Sequence, residues 1–173
     1  MLGLGHAILT GETLIGDESF AVVLADDLCD CDESGVISQM IEIYNQYQCS
    51  IVAIEEVPMS QANKYGIIAG NLVDNSSNKY QVTDMVEKPE EKNAPSNMAI
   101  IGRYILTPDV FNIIKNVKPD KSGEIQITDA LKIQAKQGKV IAYKFKGRRF
   151  DCGSIKGYLE ATNHFANNLS INS

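Results

Sequence analysis

The residues best placed to do chemistry are carboxylates at two distant positions in the chain. Asp26 and Asp27 directly follow the apolar stretch FAVVLA (20–25), and Asp151 follows the basic stretch KGRRF. In open α/β sheets, ligands gather beyond the carboxyl ends of the strands. Two aspartates from separate strand ends could hold one hard cation such as Mg²⁺, which often needs only one or two protein carboxylates. Loop aspartates also serve as turn formers or helix caps, and Asp27 competes with Asp26 for a metal role.

A second group of polar residues lies near the ends of two predicted strands. Glu87 could accept hydrogen bonds from sugar hydroxyls, and Lys88 could meet a phosphate as a point charge. The alternative is a salt-bridged pair at a solvated strand end. Asn97 precedes the next apolar strand, and Gly102 lies within it, where a glycine indicates a bulge or a close ligand approach.

The glycine-rich stretch GLGHA (3–7) has two interpretations. It lacks the G-x-G-x-x-G pattern and the preceding strand of a dinucleotide site. Its backbone could approach a flat ligand closely, or it could be an ordinary turn before a helix.

Composition excludes several classes of function. The 173 residues carry a formal net charge of −6, which argues against a grip on nucleic-acid phosphates. The sequence contains no stretch of 18 apolar residues, so no membrane-spanning helix is expected. Its first residues lack the basic region of a signal peptide. The four cysteines match no common zinc spacing, although Cys29 and Cys31 could still form a metal pair. Reduced thiols favour a cytoplasmic protein.

The hydrophobic pattern predicts one α/β domain with a mixed sheet over residues 1–173. Residues 20–25 are expected to be a strand buried on both faces, followed by a polar loop, DDLCDCDESG. With a helix over 36–47 and a strand over 49–57, this gives a parallel α/β unit. Further strands are expected over 65–73, 80–87, 98–106 and 140–147, with a turn at 75–78.

Three more helices are expected in the second half of the chain. Thr107 is the predicted N-cap of a helix that has Pro108 as its first residue. A second helix covers 123–138 and ends at Gly138, and a third follows the turn at DCG. The last residues, about 167–173, are expected to fray.

Taken in order, these motifs resemble the bacterial UTP–glucose-1-phosphate uridylyltransferases, within the sugar-nucleotide pyrophosphorylases. The resemblance extends over essentially the whole chain and depends on this set: GLGHA, LADD, KYGII, EKP, PSNMAIIGRYIL, GEIQITDA and DCG-x-x-x-GY. It implies a Rossmann-like nucleotidyltransferase fold that makes UDP-glucose and pyrophosphate from UTP and glucose 1-phosphate with Mg²⁺. It also implies a homo-oligomer.

The resemblance carries roles onto particular residues. Asp26 and Asp151 resemble the two Mg²⁺ ligands, and Lys88 the lysine on the sugar phosphate, so these three are the expected catalytic residues. The expected substrate-binding residues include Gly3 at the uracil, Gly66 and Glu87 at the glucose and, as further pocket-lining positions, Asn97 and Gly102.

One feature of the resembling family has no counterpart here. Its members open with a strand and a G-x-G-T-R loop that holds the triphosphate, and no such motif occurs in these 173 residues. We therefore expect an inactive partial domain in which strand 20–25 has an unpaired neighbour position. The alternatives are a non-catalytic module that binds UDP-sugars or sugar phosphates, or a sibling pyrophosphorylase for another sugar or nucleotide.

Overall fold

The computed structural model describes residues 2–31, 34–73 and 76–170. In these ranges the helices are α1 (Leu4–Thr10), α2 (Glu12–Ile15), α3 (Val36–Tyr47), α4 (Asp109–Ile114), α5 (Ile127–Lys136) and α6 (Ile155–Ser170). The strands are β1 (Phe20–Val23), β2 (Asp27–Asp30), β3 (Ser50–Glu56), β4 (Gly66–Leu72), β5 (Lys79–Glu87), β6 (Met98–Leu106), β7 (Val140–Lys144) and β8 (Arg148–Asp151). Short 3₁₀ helices cover Met59–Lys64 and Glu91–Asn93.

The larger sheet is mixed, as predicted. Its strand order is β1-β6-β3-β7-β5-β4, and β4 also touches β6. The β3–β7 pair is parallel and the other pairs are antiparallel. Because β1 and β3 both run antiparallel to β6, they point the same way, and α3 connects them. The predicted parallel unit is therefore present, with β6 inserted between its two strands.

The sheet is covered on both faces, which explains why its central strands read as continuous apolar runs. On one face α3 buries Val36, Met40 and Ile43 against β3 and β6. On the other face α1, α4 and α5 cover a larger core that includes Phe111 and Leu131. This packing holds the polar ends of the strands in fixed positions.

The prediction that residues 20–25 are buried on both faces is wrong. The strand ends at Val23, its side chains alternate between half-buried and exposed, and Val23 is 54% exposed. It pairs only with β6 and lies at the sheet edge, so within the described residues its outer side has no strand partner. That open edge agrees with the expected unpaired position.

The polar loop predicted after this strand is partly wrong as well. Asp27–Asp30 forms β2, which pairs antiparallel with β8 in a separate two-stranded sheet and sets Asp27 opposite Asp151. The sequence shows no apolar alternation here because the buried position of this strand is Asp27, a carboxylate that pairs with the buried Arg149. Residues 32–33 of the predicted loop lie outside the described residues.

Several predicted boundaries move for identifiable reasons. The helix predicted from 123 begins at Ile127, because the backbone of Ile125 is bonded to Leu2 and Gly5 instead. Pro108, not Thr107, is the N-cap of α4. Strand β7 ends at Lys144, and α6 continues to Ser170, where fraying from 167 was expected. Residues 171–173 and the first residue of the predicted turn 75–78 lie outside the described residues.

Candidate active site

A cavity of about 340 Å³ lies between the start of β4, the ends of β5 and β8 and the middle of β6. Six of the eight predicted site residues line it: Asp26, Gly66, Glu87, Lys88, Gly102 and Asp151. Its other lining residues include Lys64, Tyr65, Tyr104, Thr128 and Arg149. The fold therefore brings together six predicted residues that are separated by up to 125 positions in the chain, from Asp26 to Asp151.

Asp26 and Asp27 have different environments. Asp26 is exposed, and its side chain has no hydrogen-bond or ion-pair partner among the described residues. Asp27 is buried, accepts a hydrogen bond from the Gly102 amide at 2.6 Å and forms an ion pair with Arg149. The oxygens of Asp27 are occupied within the protein, whereas Asp26 offers its carboxylate to the cavity.

The backbone that carries these aspartates is fixed by Arg103. This buried guanidinium donates to the carbonyl oxygens of Leu24 at 3.0 Å and Gly102 at 2.8 Å, and to that of Asp27. A Cβ on Gly102 would lie 2.6 Å from the Leu24 Cβ and 2.7 Å from an Asp27 oxygen. Gly102 is thus required for the close approach of this segment to β6.

Asp151 completes a pair of carboxylates with Asp26. The Cys152 amide donates to the Asp26 carbonyl at 2.7 Å, so the two segments are in direct contact. A Cβ added to Gly153 would lie 3.1 Å from one oxygen of Asp151 and 3.4 Å from one of Asp26. The space beside Gly153 is therefore bordered by two carboxylates. Such a space fits a small hard cation whose other ligands are waters and phosphate oxygens.

Arg149 is the cation that holds the acidic wall of the cavity together. Its side chain is 7% exposed and pairs with Asp27, with Glu55 at 2.5 Å and with Asp151 at 3.7 Å. The guanidinium lies over the Tyr65 ring at 5.1 Å. Because Arg149 pairs with three carboxylates, its one positive charge offsets only part of their negative charge.

Tyr65 orients one of these carboxylates directly. Its hydroxyl donates to Asp151 Oδ2 at 3.0 Å. Burial raises the pKa of Tyr65, so the hydroxyl stays protonated and remains a donor. Burial also raises the pKa of Glu55, against the opposing effect of Arg149.

The other end of the cavity is built where β4 begins and β5 ends. Gly66 lies opposite Glu87 in the antiparallel register. Glu87 Oε2 accepts a hydrogen bond of 2.6 Å from the hydroxyl of Thr128, at the start of α5. A Cβ on Gly66 would lie 3.0 Å from that hydroxyl and 3.2 Å from Glu87 Oε2, so this glycine leaves the space in which the two side chains meet.

Lys88 has an unusual backbone conformation. Its φ is +44°, a left-handed value, and its amide donates to the Tyr65 carbonyl at 3.0 Å. For a residue with a Cβ this conformation costs about 1 kcal/mol or more. The ammonium lies 3.8 Å from Glu87 Oε1, and the side chain is 56% exposed. The Glu87–Lys88 ion pair, predicted as the alternative to a ligand site, is thus present. Its N–O distance is long, and the Lys88 side chain remains accessible to a ligand.

Two predicted site residues lie outside this cavity. Gly3 lines a neighbouring concavity, which shares Leu4 with the main cavity. Its φ is +88°, and a Cβ there would lie 2.7 Å from the carbonyl oxygen of Ile125. Asn97 is exposed, and its carbonyl accepts from the Val57 amide at 3.0 Å.

Reasoning from the sequence did not identify Arg149, Tyr65, Thr128 or Arg103 as parts of the site. All four fall inside or beside quoted motifs, namely GRRF, KYGII, GEIQITDA and GRY. A basic residue two positions before Asp151 was a usable signal, since residues i and i+2 of a strand share a face. The partners of each side chain come from distant segments and could not be read from spacing.

Neither a metal centre of three or more side chains nor a membrane-spanning helix occurs in the described ranges. Among the described residues, no group of three or more histidine, cysteine, aspartate or glutamate side chains is arranged to hold a metal ion. Cys29 and Cys31 therefore belong to no such group. Every helix within those ranges is too short or too polar to traverse a lipid bilayer.

Comparison with known proteins adds an independent line of evidence. The profile of a family described as nucleotidyl transferase matches residues 1–168. A UTP–glucose-1-phosphate uridylyltransferase of Pseudomonas aeruginosa is 62% identical over 170 residues, which are 98% of this chain and 60% of that protein. UTP–glucose-1-phosphate uridylyltransferase 2 of Staphylococcus saprophyticus is 42% identical over 164 residues, covering 95% of this chain and 56% of that protein.

Solved structures of UDP-glucose pyrophosphorylases are similar to this chain as well. A crystal structure of a UDP-glucose pyrophosphorylase complexed with UDP-glucose matches with a TM-score of 0.93 and 57% identity, over 97% of this chain and 64% of that one. A UTP-bound UGPase from Acinetobacter baumannii matches with a TM-score of 0.82 and 36% identity, over 95% of this chain and 56% of that one. The chain spans about 60% of the length of the first curated relative.

Proposed function

The chain belongs to the nucleotidyl transferase family, and from this premise we propose that its cavity is the sugar and metal site of a UTP–glucose-1-phosphate uridylyltransferase. The observation that carries the proposal is the convergence of Asp26 and Asp151 with Glu87 and Lys88 in a single cavity. The named relatives support the choice of nucleotide and sugar.

The proposed reaction needs no protein nucleophile. A phosphate oxygen of glucose 1-phosphate forms a bond to the α-phosphorus of UTP. The bond between that phosphorus and the oxygen bridging to the β-phosphate breaks, and pyrophosphate leaves with the electron pair. The protein contributes orientation of the two phosphates and neutralisation of their charge.

We assign the metal ligands to Asp26 and Asp151. The space beside Gly153 and the unpaired carboxylate of Asp26 fit Mg²⁺, which neutralises phosphate charge when bound. Arg149 and Tyr65 act through Asp151 by fixing its position. Asp27 does not bind the metal in this assignment. It stabilises the turn through its contacts with the Gly102 amide and Arg149.

The sugar phosphate is assigned to the opposite end of the cavity. Glu87 accepts from glucose hydroxyls, Lys88 meets the phosphate, and Gly66 lets the sugar approach β4. The strained backbone of Lys88 supports this assignment, because such strain is concentrated at functional positions. Gly3 is assigned to the uracil, in the concavity that adjoins at Leu4, and Asn97 and Gly102 to the surroundings of the pocket.

A second candidate is a module that binds UDP-sugars without turning them over. It is favoured by the absence of a G-x-G-T-R motif from these 173 residues. We propose that the chain as it stands binds UDP-glucose but does not form it. Incubation with UTP, glucose 1-phosphate and Mg²⁺ should release no pyrophosphate above background, and robust turnover would contradict this part of the proposal.

Calorimetry tests the site itself. UDP-glucose titrated into the 173-residue chain with Mg²⁺ should release binding heat, with dTDP-glucose binding more weakly. Glu87→Gln should weaken UDP-glucose about tenfold, since a hydrogen bond to a charged group contributes about 1.5–3 kcal/mol. Glu90→Gln is the matched control, because Glu90 pairs with Lys92 outside the cavity. Equal binding by both variants would reject the sugar site.

We also propose a cytoplasmic homo-oligomer. All four cysteines are free, which suits a reducing compartment. The α6 side chains Ile155, Tyr158 and Leu159 are 84%, 59% and 53% exposed, and neighbouring apolar side chains of this kind commonly mark an association surface. Sedimentation velocity should give more than one chain per particle, and a monomer at all concentrations would contradict the proposal.

A further inference from the structure

We infer that Thr128 is the positioning residue for the sugar-binding carboxylate and thereby sets how strongly the sugar contributes to binding. The inference rests on the proposed function of Glu87. Thr128 is 5% exposed, and its hydroxyl donates to Glu87 Oε2 at 2.6 Å. Nothing in the motif GEIQITDA connects this residue to Glu87, which lies 41 positions earlier in the chain.

The geometry divides the two oxygens of Glu87 between different tasks. Oε2 is held by the Thr128 hydroxyl, and Oε1 lies 3.8 Å from the Lys88 ammonium. A carboxylate with one oxygen fixed cannot rotate freely, so Oε1 is held ready to accept from a ligand. A side chain prepared in this way loses less conformational entropy when the ligand binds.

The surrounding structure makes the contact rigid. Gly66 leaves the space in which Glu87 and Thr128 meet, since a Cβ there would come within 3.0 Å of the threonine hydroxyl. One turn further along α5, Lys132 pairs with Asp84 at 2.8 Å and donates to the Met85 carbonyl at 3.1 Å. These contacts of Lys132 hold α5 against the last residues of β5.

The test compares Thr128→Val, which keeps the shape and removes the hydroxyl, with Thr128→Ser, which keeps the hydroxyl. Calorimetry with UDP-glucose and with UDP separates sugar binding from nucleotide binding. Thr128→Val should weaken UDP-glucose about tenfold and leave UDP within about twofold of the unsubstituted chain. Thr128→Ser should keep UDP-glucose within about threefold. Thr162→Val is the matched control, because that hydroxyl bonds the Tyr158 carbonyl on α6, away from the cavity.

A double-mutant cycle distinguishes positioning from general structural damage. If Thr128 acts through Glu87, Thr128→Val combined with Glu87→Gln should bind UDP-glucose no more weakly than Glu87→Gln alone. Additive losses would overturn the inference. So would an unchanged UDP-glucose affinity in Thr128→Val, or an equal loss for UDP.

The outcomes also separate this inference from the proposed function. If the unsubstituted chain does not bind UDP-glucose, the proposed function fails and the inference fails with it. If UDP-glucose binds and Glu87→Gln weakens it while Thr128→Val does not, the proposed function stands and the inference alone is wrong.

Discussion

Asp26 and Asp27 are adjacent in sequence, but one carboxylate faces the cavity and the other faces the protein interior. Asp26 is exposed without a partner among the described residues, whereas Asp27 is buried between Arg149 and the Gly102 amide. This division of tasks explains why a short apolar strand is followed by two acidic residues. One carboxylate fixes the turn, and its neighbour is left available for a cation.

The two aspartates should therefore respond differently to substitution. Asp27→Asn should lower the free energy of unfolding by about 3 kcal/mol or more, because it leaves the buried Arg149 without its nearest carboxylate. Asp26→Asn should change that free energy by less than about 0.5 kcal/mol and abolish the effect of Mg²⁺ on UDP-glucose affinity. Urea unfolding and calorimetry with and without Mg²⁺ measure both. Equal destabilisation by the two substitutions would contradict the assignment.

Tyr65→Phe isolates the hydroxyl that orients Asp151. The ring over Arg149 is kept and the 3.0 Å hydrogen bond is lost, so stability should fall by only about 1 kcal/mol. The Mg²⁺ concentration needed for half of the effect on UDP-glucose binding should rise about tenfold, as is typical when the support of a metal ligand is removed. Tyr158→Phe, at an exposed position on α6, is the control. An unchanged Mg²⁺ requirement would show that Asp151 does not depend on this contact.

Lys88→Gly should separate stability from function. Glycine adopts the left-handed φ of +44° without penalty, so the unfolding free energy should rise by up to about 1 kcal/mol. UDP-glucose affinity should fall, because the phosphate loses its ammonium partner. Gln48→Gly is the matched control: Gln48 has a φ of +51° at the end of α3, and its substitution should stabilise the protein without a change in affinity. A loss of stability in Lys88→Gly would mean that the conformation is not strained.

The Lys132–Asp84 ion pair, which joins α5 to β5, should make the stability of the protein depend on pH. The Lys132 ammonium, 2.8 Å from Asp84 Oδ1, holds the pKa of Asp84 below its usual value. A depressed carboxyl pKa contributes stability that is present above the unfolded-state pKa of about 3.8 and is lost as the pH falls through the folded-state value. The stability difference between the unsubstituted chain and Lys132→Met should thus be full well above pH 3.8 and shrink as the pH falls below that value. Urea unfolding across this range is the measurement. Lys92→Met, which breaks a highly exposed pair, is the control, and a difference that grows in acid would contradict the account.

Much of the fold could be predicted from the sequence, because the buried elements carry strong patterns. The helix over 36–47 matches α3 at both ends, and the strands expected over 65–73, 80–87 and 98–106 match within one residue. The helix buries one stripe of side chains and the strands bury one or both faces. The buried positions are therefore apolar at regular spacing in the sequence. Six of the eight expected site residues also meet in one cavity.

The errors occur where long-range contacts decide the structure. Strand β2 is polar because Arg149 neutralises Asp27 from across the sheet, and no local pattern reveals that partner. The strand before it reads as fully buried but lies at an open edge. Helix α5 begins late because the N-terminal segment bonds to the backbone of Ile125. Thr128 was overlooked for the same reason, since its role appears only when α5 meets β5.

The central claim is that one cavity holds a metal at the Asp26–Asp151 end and a sugar at the Glu87–Lys88 end. Two-dimensional ¹H–¹⁵N NMR of the labelled 173-residue chain, titrated first with Mg²⁺ and then with UDP-glucose, tests it most directly. We expect Mg²⁺ to shift the amides of Asp26 and Gly153, and UDP-glucose to add shifts at Gly66, Lys88 and Thr128. Shifts confined to other surfaces, or no shifts at millimolar UDP-glucose, would contradict the claim.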